Sequence, residues 1–335
     1  MVNSVSVSNL GTNYYNDLII KNLNLQLQNV NQQISTGQKS QTYGGLGTQA
    51  GQSLTLNSQN TVLNGYINAI NATTPQTDNM DTAMTNISSA VSNVVSSLDQ
   101  ISQGGTPNLT NVTTAAQNAL SQIQQLLNSQ VGGTFIFGGD LSNTAPLADT
   151  SAVNTNVGAQ VNSYGTGPSA ATIISNISNL TDAQLGYNTN LAAAGNVSVR
   201  ADNNLNIDYT VKADEPQFKN IMAGLSEIAN LTYNSSDASD FWSLFNDAKS
   251  RLSTASTTVS QRQGELGVAR NQMASLLTAH NNAQLALQTN IGTVDDVDIA
   301  SASATLSSLE TQVQATYESI SQTSKLSLVN YLTTT

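Results

Sequence analysis

Met80, Met84, Ile87, Val91, Val94, Leu98 and Ile101 follow one another at spacings of 4, 3, 4, 3, 4 and 3. A seam of that period lies along one face of an α-helix and needs a second helix to cover it. The same pattern recurs near both chain ends. Leu23, Leu27, Val30 and Ile34 are spaced 4, 3 and 4, and Ile299, Ala302, Leu306, Leu309 and Val313 are spaced 3, 4, 3 and 4. Seams so far apart in sequence are most simply satisfied by each other. The pattern predicts a mainly α fold: a long antiparallel, coiled-coil-like helical rod built from both chain ends. A small β-containing insert would grow from its middle.

Local signals divide the chain. An N-terminal helical arm over 1–42 should stop near Gly37, in Ile34-Ser35-Thr36-Gly37. Four glycines in 42–51 predict an irregular or hairpin segment before the N-terminal half of the rod, 43–140, which Pro75 should kink or split. A shorter helix is expected over 110–130, then a short aromatic strand in Phe135-Ile136-Phe137 between glycine pairs. Residues 141–215 carry no long seam and alternate at Val197–Arg200 and Leu205–Val211, which predicts the outer insert. The C-terminal half of the rod, 216–292, begins at Pro216, and a C-terminal arm spans 293–335. Leu326, Leu328, Val329, Tyr331 and Leu332 crowd its end, where little chain follows to cover them. The expected assembly seam is therefore Leu23, Leu27, Val30 and Ile34 with Ile299, Leu306, Leu309, Val313, Leu328 and Tyr331.

Composition removes several functions. Charged residues are 9% of the chain, and the net charge is −11. Lys21 and Lys39 are the only bases in the first 199 residues, so no cationic cluster exists there to bind nucleic acid or an anionic membrane. No apolar run is long enough for membrane insertion. Asparagine supplies 41 of the 335 residues, which predicts a neutral, amide-rich surface. Cysteine is absent. Neither a basic n-region nor an apolar h-region is visible in the first residues, so no cleaved signal peptide is expected.

The residues offer little chemistry. His280, the one histidine, has no acid within four positions and is expected on a polar helix face. Asp295, Asp296 and Asp298 lack the EF-hand spacing and read as the start of the last helix. Met80 and Met84 occupy seam positions. No catalytic, cofactor or metal site is assigned, and an enzyme is not expected. Two other readings stand beside a structural one. One is a secreted glycan-binding protein using Tyr164, Tyr187 and Tyr209. The other is a hydrolase pairing two of Asp202, Asp208 and Asp214.

Several of these pieces resemble one family. Ile34-Ser35-Thr36-Gly37-Gln38-Lys39, the Phe135-Ile136-Phe137-Gly138-Gly139 stretch with Thr144-Ala145-Pro146, and the segment from Val294-Asp295-Asp296-Val297-Asp298 to Leu326–Leu332 are similar to bacterial flagellins and flagellar hook-associated proteins. The likeness spans the chain except roughly 140–210, and within the superfamily it leans to the branch that joins hook to filament. The resemblance implies a structural axial subunit, with the filament subunit, flagellin, as the alternative. It implies self-association, neighbouring hook-associated and flagellin subunits, an export chaperone, and an extracellular place in the flagellum after type III export. One departure is that Gln38-Lys39-Ser40 leads into an acid-free Gly44-Gly45-Leu46-Gly47, where relatives commonly carry an acidic pair.

Overall fold

The computed structural model describes residues 3–102 and 106–332. They form eight α-helices and two short hairpins: α1 (Asn3–Thr36), α2 (Ala50–Asp99), α3 (Thr110–Leu127), β1 (Gln130–Val131), β2 (Thr134–Phe135), α4 (Ala152–Val161), α5 (Ala170–Ser178), β3 (Ser198–Asp202), β4 (Leu205–Asp208), α6 (Pro216–Asn230), α7 (Ala238–Asp295) and α8 (Ile299–Leu332). The fold is mainly α, as the heptads require. The chain divides into two compact units, one of Met1–Leu63 with Asn282–Thr335 and one of Asn64–Asn281.

The larger unit holds the core. The seam from Met80 to Leu98 is at most 1% exposed throughout. It shares one buried cluster with Val112, Ile123 and Leu127 of α3, Phe218, Ile221 and Leu225 of α6, and Phe241, Leu252 and Val259 of α7. Gly224 is a point of close approach: a Cβ there would lie 3.1 Å from Leu252 Cγ and 3.3 Å from the Ala248 carbonyl oxygen. A second small cluster joins Val199, Ala201 and Ile207 of the β3–β4 hairpin to Ile70, Ala269 and Met273. Between the two helices, Arg270 reaches Asp78 and Asp81, and Gln263 Nε2 donates to Asp81 Oδ1 at 2.7 Å.

Three local expectations are refined. Residues 43–49 take the irregular alternative rather than the hairpin, forming 3-10 turns with a break at Gly47, whose φ is 57°. Pro75 does not split α2. The ring sits on the exposed face, and the carbonyl that loses its partner belongs to Asn71, itself exposed. The aromatic strand is only Thr134–Phe135, which pairs with Gln130–Val131. Gly132 and Gly133, both at positive φ, make the two-residue turn that a right-twisted hairpin prefers. Ile136 and Phe137 leave the strand and are buried in the main cluster.

The segment 141–215 is more helical than its alternation suggests. It contains α4, α5 and one hairpin. Nor does it keep a core of its own: Val153, Val157, Ile173, Ile177 and Tyr187 lie in the same buried cluster as α3 and α6. Short helices of nine and ten residues present too few turns for a periodic seam to stand out in sequence.

Candidate assembly interface

The smaller unit is built differently. Helices α1 and α8 pack together there. Residues 37–38 meet residues 296–297 where α1 ends and α8 is about to begin, so the two helices run antiparallel. Among the described residues this unit buries only Leu23, Val294, Ala302 and Leu309 as apolar side chains. Leu27, Val30, Ile34, Leu306 and Val313 are half-buried. Ile299, expected in the seam, is exposed, and Ala302 takes the buried position one turn later. Leu328 and Tyr331 belong to α8 by backbone, but their side chains lie outside the described ones.

The apolar surface is concentrated in the same unit. Of the eleven large apolar side chains that stand exposed among the described residues, ten lie here, among them Tyr14, Leu18, Leu25, Leu54, Leu285 and Tyr317. Only Val268 lies in the larger unit. A two-helix arm with a half-open seam and an apolar outer surface buries too little area to be self-sufficient. Its chemistry is that of a surface that packs against more helix.

The junction of the arms is polar and well made. Gly37, at φ 72°, ends α1 and donates its N–H to Gln33 O at 2.9 Å. Lys39 N donates to Asp295 O at 2.7 Å, and Val297 N donates to Gly37 O at 2.9 Å. Lys39 Nζ donates to Thr293 O at 2.9 Å and to Val294 O at 2.7 Å. Ser53 Oγ, fully buried, donates to Asp295 Oδ2 at 3.0 Å. Asp298 caps α8: its Oδ1 accepts from Ala300 N at 2.9 Å and Ser301 N at 3.2 Å. Of the three acids expected to start the last helix, Asp298 makes the cap and Asp295 ends α7.

The remaining candidates fall elsewhere. His280 is buried, not on a polar face. Its Nε2 lies 2.7 Å from Ala201 O, and its ring stacks on Tyr66. The signal for this was absent, because Ala201 is 79 positions away in sequence. Tyr164 and Tyr187 are buried and present no face to a sugar, whereas Tyr209 is half-buried and donates to Gln76 Oε1 at 3.2 Å. Asp208 pairs with Ser198, four residues along β3 from Asp202. The register therefore sets the two backbone positions roughly 10–13 Å apart along the hairpin, not as cross-strand neighbours. Among the described residues no three His, Asp or Glu side chains gather as a metal site, and no helix is long and apolar enough to cross a membrane.

Residues 250–332 match the family model of the bacterial flagellin C-terminal helical region. This region is therefore similar to the C-terminal helical region of bacterial flagellins. The matched stretch contains most of α7 and all of α8. Two solved structures are similar along most of the chain. One is a proposed flagellar hook-associated protein from Vibrio parahaemolyticus, at 15% identity over 74% of this chain and 97% of that one, with a TM-score of 0.47. The other is FlgL of Bacillus cereus, at 12% identity over 81% and 97%, with a TM-score of 0.36. No curated protein sequence matches the chain.

Proposed function

We propose that this chain is a structural axial subunit of the bacterial flagellum that joins hook to filament, the place of hook-associated protein 3. The observation that carries the axial role is that the matched flagellin arm, with α1, is where the protein leaves its apolar surface uncovered. Copies would pack arm against arm in a heterologous contact that repeats around an axis. Leu23, Leu27, Val30, Ile34, Leu306, Leu309 and Val313 would hold α1 to α8, while Tyr14, Leu18, Leu25 and Tyr317 would meet neighbours. Partners on this reading are further copies, an adjoining hook-associated protein, flagellin and an export chaperone. The protein would lie outside the cell, exported without a cleaved signal, and would catalyse nothing. The second reading, flagellin itself, is favoured by the name of the matched region.

Deleting the gene and imaging the cells separates the two. A junction subunit leaves hooks without filaments and flagellin secreted into the medium. Loss of the bulk filament protein itself, seen as the major band of sheared filaments, would establish flagellin instead. Filaments of normal length and number would overturn both.

A further inference from the structure

We infer that Lys39 is the C-terminal cap of α7 and the residue that positions both arm helices as one piece. An α-helix ends with four carbonyls that lack intrahelical partners. For α7, Thr293, Val294 and Asp295 are among them. Gly292 O accepts from Asp296 N at 2.8 Å, the last bond that the helix makes for itself. Those three are taken by one residue: Lys39 Nζ donates to Thr293 O and Val294 O, and Lys39 N donates to Asp295 O. A cation at that end also opposes the negative pole of a 58-residue helix.

The cap comes from a residue some 254 positions earlier, directly after α1. Lys39 is itself held from α1, because Gln33 Nε2 donates to Lys39 O at 2.9 Å. Val297 N, one residue before the Asp298 cap of α8, donates to Gly37 O. The end of α1, the end of α7 and the start of α8 thus meet at one residue. With only four apolar side chains buried among the described residues of this unit, these bonds set where α8 begins relative to α1. That start point decides which apolar residues of the two arms face each other. The inference stands apart from the flagellar reading, since it concerns a contact within one chain.

The chain has no cysteine, so a disulfide can report the contact. Gln38 and Asp296 are antiparallel bridge partners and both are exposed. Their Cα atoms should lie roughly 4.5–5.5 Å apart, within disulfide range. The full chain carrying Gln38→Cys and Asp296→Cys is equilibrated in a thiol–disulfide buffer, and the effective concentration of the pair is measured. Adding Lys39→Met should lower it about tenfold or more, while Lys39→Arg, which keeps charge and donors, should hold it within about threefold. Hydrogen exchange of the cysteine-free Lys39→Met chain should show α1 and α8 losing protection together, with 64–281 unchanged. A disulfide that forms equally well whatever stands at 39, or that does not form at all, would overturn the inference. So would a loss of protection confined to one arm.

Discussion

Glu227 is fully buried in α6, and neither carboxylate oxygen has a hydrogen-bond partner among the described residues. Arg251 Nε is 3.9 Å away but is committed to Asp247, while its NH2 group donates to Ser178 Oγ and Ile174 O on α5. Burial therefore dominates and pushes the Glu227 carboxyl up to about 8, with Asp247 adding to the rise and Arg251 opposing it. The unfolded chain releases this proton near the ordinary value of 4.5, and the folded protein holds it to about 8. Between those limits the folded state binds more protons, so stability falls as pH rises through the window and levels off above it. Glu227→Gln should flatten that slope. Its thermal midpoint should match the parent near pH 4.5 and exceed it at pH 8, a gain on the order of a few kcal/mol, read by calorimetry across the range. A smaller effect is expected at Asp298. Replacing it by alanine removes the acceptor for Ala300 N and Ser301 N and should cost about 1 kcal/mol in the first turn of α8, read as faster amide exchange there.

At the scale of elements, the β3–β4 hairpin and helices α4 and α5 are part of the larger unit's core, not additions to it. Val153 and Val157 of α4 are fully buried, and α4 packs on α6. Excising 145–212 with a short Gly-Ser bridge would uncover these contacts on the α6 side. Each buried valine or leucine contributes about 1.5–3 kcal/mol, and several would be lost at once. The truncated chain should aggregate or be degraded, and circular dichroism of any soluble fraction should show no cooperative melt. A single substitution makes the same point with less disruption. Val157→Asp puts an unpaired charge into the cluster and should lower the thermal midpoint of the whole larger unit, since one core serves all its helices.

At the scale of the molecule, the two units divide the work. The larger unit buries its seams almost completely, and the smaller one keeps its apolar surface outward. Substitution at that surface should separate assembly from folding. Leu25 and Tyr317 are each about half exposed, at 53% and 51%. Leu25→Asp with Tyr317→Asp should leave the melting of the larger unit unchanged and, on the axial reading proposed above, abolish incorporation into the flagellum, with soluble subunits recovered from the medium. Normal incorporation would show that these faces meet no neighbour.

The long helices, the seam from Met80 to Leu98, the stop at Gly37 and the start at Pro216 were all legible in the sequence. Each is set by residues within a few turns of one another: a 3.5-residue period, a glycine tolerating positive φ, and a proline suited to the first turn. The glycine pair of the first hairpin was legible for the same reason. What the tertiary structure alone decided joins residues that are remote in the chain. His280 is buried because Tyr66 and the β3 strand close over it. The middle segment belongs to the core because α4 finds α6. Ile299 faces outward because α8 begins where the Lys39 junction places it, and a spacing rule carries no origin for its count. Periodicity can be read along one dimension, but the partner that satisfies a face, a carbonyl or an imidazole exists only after the chain has folded back on itself.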